Sequence, residues 1–269
     1  PKQFREEISP YFNANPKKYI SALVSEDCWQ ATPGKVVDLV RNLGIAAGGT
    51  VMEDCRVLEA CREGKYTSVL VQTHDKKYVE YRTEHFVNAL GSGAGKLCDS
   101  MGIDAGLYPV RHQAFITRRL PMLGKHGTNL DMLIDRQDYK GFSAVYGQQI
   151  AYTGQIIGCA SPKLDAMRID KNLKVNTKAF LEIVSEMFSE WIPDLAGVGI
   201  QAVWAGYYTE PRYIVDPELG LFVGMRGHGF MLSQYIARMY VDKLLGRPVP
   251  EYFEKLKLNG PGLSEKAFK

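Results

Sequence analysis

The stretch WAGYYTEPRYIVDPELGLFVGMRGHGFMLSQYIARMYVDKLLG, residues 204–246, decides how the chain is read. It opens as a strand, passes through an irregular turn and a short second strand, and ends in a long helix introduced by a glycine-flanked histidine. Apolar residues at Phe230, Met231, Tyr235, Ile236, Met239, Tyr240, Leu244 and Leu245 fall on one helical face. Gly246 follows the last of them and Pro248 comes shortly after, so the helix has a physical stop. The start is less ordinary. Gly224, Gly227 and Gly229 allow a close approach of backbone to a neighbour, and the first N–H groups of any helix lack acceptors of their own. Such an end carries partial positive charge and suits an anion or an electron-rich carbonyl. A glycine-rich turn that only packs a helix against a strand has the same pattern, so both uses stay open on these residues alone.

Working outward, 269 residues and 30.1 kDa can bury one large core or two modest ones. Hydrophobic residues at 45% and charged ones at 23% are the proportions of a globular protein. A net charge of +3, with no basic run interleaved with aromatics, argues against nucleic acid as a partner. The cysteines (Cys28, Cys55, Cys61, Cys98, Cys159) are odd in number and lack CxxC spacing, which favours reduced thiols in a cytoplasmic compartment. The histidines are scattered without ligand spacing, so no metal site is expected. No apolar run reaches the length of a membrane span, and the expectation is a soluble cytoplasmic protein.

Upstream, Thr32 and Pro33 start a helix over 33–47 that Gly48 and Gly49 stop. Strand-like pieces follow at 50–53, 55–59, 68–73 and 77–81, the last two reading as a hairpin. Residues 84–90 form an apolar run into a glycine-rich turn and a short helix. Further strands are expected over 107–117, 130–136, 142–145, 149–153 and 155–159, then a helix over 177–191 that Pro193 ends. The turn VNALGSGAGKL (87–97) is not a P-loop, because Leu97 follows Lys96, and it is not GxGxxG, because Lys96 stands at the third glycine.

The 204–246 stretch, and GMRGHGFMLSQ (224–234) above all, resembles the C-terminal flavin-contacting segment of the D-amino-acid oxidase, glycine oxidase and sarcosine oxidase family of FAD enzymes. The resemblance implies that Gly227, His228, Gly229, Phe230 and Met231 offer backbone groups to the pyrimidine edge of the flavin ring. The 87–97 turn resembles the family's VNAAGxWA segment, which places Ala89, Gly91 and Gly95, with Val87 and Asn88, beside the FAD pyrophosphate and ribose. MEDCRVLEA (52–60) resembles the strand that meets the adenine, putting Val57 there, and PVRHQAF (109–115) resembles the family's PxRGQ strand with His112 in place of glycine. The position that holds an amino-acid carboxylate in relatives is Tyr208 here, so Arg212 and Arg226 are the candidates for that role. An ion pair of Arg212 with Glu210 or Glu218 is the structural alternative. No cysteine follows Cys159, so a C-terminal thioether is excluded and the FAD is expected to be non-covalent.

What the resemblance implies as a whole is an α/β fold of the FAD/NAD(P)-binding type without its first βαβ unit, plus a mixed-sheet substrate domain. Residues 1–106 and 204–269 would complete part of the FAD domain, and 107–203 would bind the substrate. GxGxxG is absent from this sequence, so that segment is expected on a separate chain or as a piece removed. The implied reaction is oxidation of a C–N bond in a small amine or amino acid, with hydride passing to flavin. A non-catalytic flavoprotein subunit that completes a partner, and a hydroxy-acid or glycerol-3-phosphate-type dehydrogenase, are the alternatives.

Overall fold

The computed structural model describes residues 2–7, 11–15, 17–19, 21–25, 27–123, 130–135, 141–150, 153–162, 177–193 and 197–262. In chain order the elements are α1 (Lys2–Glu7), α2 (Pro33–Ala46), β1 (Arg56–Glu63), β2 (Tyr66–Gln72), β3 (Tyr78–Thr83), a 3-10 turn (Gly91–Gly93) and α3 (Ala94–Ser100). They continue with β4 (Tyr108–Thr117), β5 (Leu133–Asp135), β6 (Phe142–Ile150), β7 (Gln155–Pro162), α4 (Thr177–Trp191) and β8 (Ile200–Glu210). The last are β9 (Ile214–Asp216), β10 (Leu221–Val223), α5 (Gly229–Leu244) and α6 (Glu251–Glu254). This mixed α/β chain divides into two compact units, Pro1–Glu26 with Val110–Tyr207 and Asp27–Pro109 with Tyr208–Lys269.

In the first unit the strand order is β5-β6-β7-β4-β8, with antiparallel pairing from β5 through β6 and β7 to β4. Helix α4 covers this sheet for a reason visible in its spacing. Phe180, Ile183, Val184, Met187, Phe188 and Trp191 recur on one face, and all are buried. Phe115 of β4 meets Phe188 edge-on at 5.4 Å between ring centroids. It lies over Gly158, where a Cβ would come within 2.5 Å of the Phe115 ring. The Asp135 carboxylate, itself buried, accepts from Tyr19 Oη at 2.7 Å and Trp191 Nε1 at 3.1 Å, which offsets its desolvation.

Two sequence boundaries move. The first residues were expected with the 204–269 portion, yet Phe12 and Ala14 are buried in the α4 core and the Asn13 N–H donates to the Trp191 carbonyl at 2.9 Å. The strands expected at 142–145 and 149–153 are one strand, β6, since Tyr146 and Gly147 keep pairing with Cys159 and Gly158. Arg136 and residues 151–152, which the expected strands at 130–136 and 149–153 included, lie outside the described residues.

In the second unit β1, β2 and β3 form an antiparallel sheet with β1 and β3 at its edges. Its inner face, Ala60, Val69 and Val71, packs on Leu97 of α3. Ser100 ties the same helix to β1, accepting the Ala60 N–H at 3.1 Å and donating to the Ala60 carbonyl at 3.3 Å. The β9–β10 hairpin rests on α5 and α6 through Tyr213, Val215, Ile236, Met239, Tyr240, Phe253 and Leu256.

Two expected strands are absent as such. Residues 50–53 take no strand pairing, and 84–90 make a single parallel bridge, Asn88 with Leu221. A strand is a property of a pair: 50–53 has β-forming side chains without a paired neighbour, and 84–90 pairs at Asn88 alone. Helix α2 is as expected in extent but unusual in setting. None of its residues is buried, and Val37, Leu39, Val40, Leu43 and Ile45 are between 41% and 61% exposed. Between α2 and α5 runs a groove of about 430 Å³, lined by Val36, Val37, Val40, Val51 and Phe230.

Candidate functional site

The start of α5 is built on the segment that leaves β8. Tyr208, Glu210, Arg212 and Tyr213 each fix one residue of the turn at 224–228. Gly224 has φ +71°, and a Cβ there would stand 1.9 Å from the Arg212 carbonyl oxygen. Only glycine fits so close to backbone. Arg226 also takes a left-handed backbone, φ +49°, and its Nε donates to Glu210 Oε2 at 2.6 Å. Both partners of that ion pair are largely buried, so it holds the turn in a fixed place. Gly227 lies on the Tyr208 ring, which a Cβ would approach to 2.7 Å. His228 contacts the Tyr213 hydroxyl through Nδ1, and its N–H closes the turn on the Met225 carbonyl at 3.0 Å.

From that anchored turn α5 begins at Gly229. His228 stands at the N-cap without a side-chain cap bond, so the N–H groups of Gly229, Phe230 and Met231 have no acceptor in their own helix. Phe230 and Met231 are 47% and 65% exposed, whereas Ile236, Met239 and Tyr240 further along are buried. The helix is therefore seated by its middle and presents its positive end outward.

The second glycine-rich turn starts beside the first. Asn88 pairs with β10 in parallel: its N–H donates to the Gly220 carbonyl at 2.8 Å, and its carbonyl accepts the Phe222 N–H at 3.0 Å. Its side chain is fully buried, giving Nδ2–H to the Ala94 carbonyl at 3.1 Å and accepting the Leu90 N–H at 3.3 Å. Asn88 thus shapes the turn that carries Ala89, Gly91 and Gly95. Ala89 and Gly91 are exposed, Gly91 at φ +54° with open space beside it, and Gly95 packs on the Leu107 carbonyl. Two parallel-paired segments therefore end side by side, and each releases a glycine-rich turn from its carboxyl end. In α/β folds that is where ligands bind.

The remaining sequence candidates are Val57 and the Arg212 side chain. Val57 is half-buried in the edge strand β1, next to a break in its register with β2. Arg212 gives its guanidinium to the carbonyls of Leu258 and Gly260, which ties down the C-terminal tail. The ion pair considered for Arg212 with Glu210 is made by Arg226 in its place. The pairing of Tyr213 with His228 was missed from sequence. Its only trace there is an aromatic residue in the short strand before the glycine-rich turn, which reads as core.

Among the described residues no cluster of histidine, cysteine, aspartate or glutamate could hold a metal, and no helix is long and apolar enough to cross a membrane.

A family model described as FAD dependent oxidoreductase matches residues 3–243. The chain belongs to that family. FAD is the cofactor that this family uses. Of the solved structures, L-proline dehydrogenase from P. horikoshii is similar at 24% identity and a TM-score of 0.65, over 84% of this chain and 59% of that one. Glycine oxidase from Bacillus cereus is similar at 18% identity and a TM-score of 0.62, over 81% of this chain and 57% of its own. Iminodiacetate oxidase from Chelativorans sp. is 14% identical with a TM-score of 0.61, over 85% and 58%. The chain spans somewhat less than three fifths of the length of each of these relatives. None of the curated proteins compared matches it significantly.

Proposed function

We propose that the chain is part of an FAD-dependent oxidoreductase that oxidises the C–N bond of a small amine or amino acid. The observation that carries this reading is the pair of glycine-rich turns at the carboxyl ends of parallel-paired segments, in a chain of this family. The substrates named in the similar structures, proline, glycine and iminodiacetate, are each an amine bearing a carboxylate.

When bound, FAD supplies the acceptor for the hydride that leaves the substrate carbon. The chain's own residues hold and orient. The N–H groups of Gly229, Phe230 and Met231, with Gly227 before them, would offer donors to the electron-rich edge of the flavin, while His228, assigned to the same edge, spends its own N–H on the Met225 carbonyl. A helix N-terminus aimed there favours added negative charge without reorganising. Ala89, Gly91 and Gly95 let the pyrophosphate and ribose approach backbone, and Val57 is assigned to the adenine through its backbone in an edge strand. At the substrate end Tyr208 and Arg226 are assigned to the carboxylate. Arg212 is assigned to the tail it clasps.

We place the GxGxxG segment on a separate chain. The support is the uncovered apolar surface of α2, its groove with α5, the strand-like residues 50–53 that take no strand pairing, and residues 84–90, which pair only through Asn88. A βαβ unit would supply both the cover and the pairing. The second reading, a non-catalytic subunit completing a partner's FAD site, is favoured by one observation: a tyrosine, Tyr208, stands where the arginine is expected, and Arg212 is turned to the tail.

A native mass spectrum of the protein purified from its own host tests the reading. The expected species exceeds 30.1 kDa by one FAD and a second, smaller chain. A bare chain with neither would sink it. Bleaching of the flavin absorbance on adding small amino acids distinguishes the enzyme from the scaffold. Within the chain, Gly229→Val is expected to weaken FAD binding about 10-fold or more, since a Cβ there would stand 3.1 Å from the Met225 Cβ, tight enough that the turn must give by a few tenths of an ångström, and the branched side chain would crowd the helix end. Met239→Leu, in the seated middle of α5, is expected to leave FAD affinity unchanged. Equal loss from both would refute the assignment of the helix end.

A further inference from the structure

The parallel bridge at Asn88 uses one edge of its segment and leaves the other open. Asn88 turns its N–H and carbonyl to β10, where they meet Gly220 and Phe222. Backbone groups of alternate residues in a ladder turn to opposite edges, so those of Val87 and Ala89 face away from β10. Among the described residues none of them has a hydrogen-bond partner. Val87 and Leu90 are 42% and 43% exposed. An apolar edge of this kind is a template for another strand. The same unit has a groove of a width that suits a helix, walled by α2 and α5. On α2 its wall includes Val36 and Val40, and Leu43 continues that line at intervals of four and three. On α5 the wall includes Phe230 and Gln234, and Ala237 and Val241 continue it at three and four. That spacing is the seam of a helix that packs on another helix. On α5 it is exposed throughout, while Ile236, Met239 and Tyr240 seat the opposite side.

We propose that the open edge and the groove are one docking surface for a strand–helix segment of a separate chain. The strand adds at Val87 and Ala89, parallel to 84–90, and the helix that follows it lies between α2 and α5. The proposal rests on the reading that a separate chain completes the FAD site. Strand and helix arrive as one piece, because a strand parallel to its neighbour needs a crossover of about a dozen residues or more, usually a helix. Helix α5 already follows β10 in the chain, and crossovers of one hand set their helices side by side on one face. Length identifies the occupant as a missing part of the fold. The three solved relatives are matched over 57–59% of their own chains, so about two fifths of each has no counterpart here. A second copy of this chain supplies no such part, and a two-fold pair of copies sets identical edges antiparallel.

Two measurements on the full chain test this, with the second chain recovered from the native complex as the probe. The first is photo-crosslinking from a benzoylphenylalanine placed at position 37, 78 or 87 in turn, with the adducts located by peptide mass spectrometry. Position 87 is expected to join a strand of the second chain, and position 37 the helix directly after that strand. Position 78, which is Tyr78 on the edge strand β3 and 66% exposed, is expected to join neither. Adducts from 37 or 87 to another copy of this chain, or to unconnected parts of the second chain, would overturn the docking. The second measurement is the dissociation constant of the two chains. Val40→Glu puts a charge into the groove, and Val87→Pro removes a donor from the open edge. Each is expected to raise the constant about 10-fold or more, and Tyr78→Glu to leave it unchanged. Parent-like affinity in Val40→Glu or in a folded Val87→Pro would overturn the proposal. Should Val87→Pro fail to fold, the adduct from position 87 decides the edge. A complex that carries FAD yet gives no adduct at 37 or 87 overturns the docking and leaves the functional reading standing. A native protein without any second chain overturns the docking and the separate-chain reading together.

Discussion

Gly224→Ala is expected to destabilise the Tyr208–Lys269 portion of its unit by roughly 3–5 kcal/mol, among the larger effects of any single substitution. Two costs act at once. The left-handed backbone at φ +71° disfavours any side chain by about 1–2 kcal/mol. The added Cβ would also stand 1.9 Å from the Arg212 carbonyl oxygen, so one of the two backbones must move by more than an ångström. Neither is free to do so. Arg212 is held by its own guanidinium on Leu258 and Gly260, and the turn is held two residues on by Arg226 and Glu210. Urea unfolding of the purified protein measures the loss. Gly206→Ala is the control: nothing lies within 4 Å of a Cβ there, and the change is expected to stay within about 0.5 kcal/mol. A Gly224→Ala protein that unfolds within about 1 kcal/mol of its parent would contradict the close approach of the turn to Arg212.

The second large effect is a loss of stability in mild acid, centred on His112. This residue lies in β4 between Arg111 and Gln113, all three buried. Burial disfavours the charged imidazole and pushes its pKa from 6.5 down to about 4. The folded unit therefore keeps His112 neutral, while the unfolded chain binds a proton as soon as the pH falls below 6.5. In that window the unfolded state holds more protons, and stability falls with decreasing pH by up to about 1.4 kcal/mol per unit. The loss ends near pH 4, where the folded form protonates too, and amounts to about 3 kcal/mol in all. Above pH 6.5 the contribution is complete and flat. Carboxylates such as Glu218 and Glu254, held low first by hydrogen bonds to Lys257 and Lys243 respectively, lose their own contributions at still lower pH. They do so equally in a His112→Gln protein, so the difference between the two curves isolates the histidine. Unfolding free energies of parent and variant that run parallel from pH 7 to pH 4 would refute the burial of a neutral His112.

Much of this architecture was legible in the residues. Helices α4 and α5 were found because their apolar residues repeat at 3.6 and packing decides their extent. The hairpin of β2 and β3 was found because alternation and turn residues agree. What escaped depends on neighbours distant in sequence. Residues 50–53 have the composition of a strand but no pairing, and 84–90 pair only at Asn88. Phe12 and Ala14 join the α4 core through a contact that spans most of the chain, which no local pattern encodes. At the site, the glycines announced a close approach but not its object. Gly224 and Gly227 are glycine because of Arg212 and Tyr208, residues of the chain itself. Charge pairing was equally ambiguous, for Arg212 was considered with Glu210 or Glu218, and Glu210 takes Arg226.

Helix α2 carries a consequence for how the isolated chain behaves. None of its 14 residues is buried, so little beyond their own hydrogen bonds and the exposed Arg41–Glu53 ion pair holds them, and a helix of that length is marginal alone in water. Its amides should therefore trade their hydrogens with solvent far faster than those of α5, and Lys35 and Arg41 should be early points of tryptic cleavage. Whatever settles on Val37, Val40 and Leu43 would silence both signals together. Deuterium uptake along α2 thus gives a reading of assembly that requires neither turnover nor a coloured cofactor.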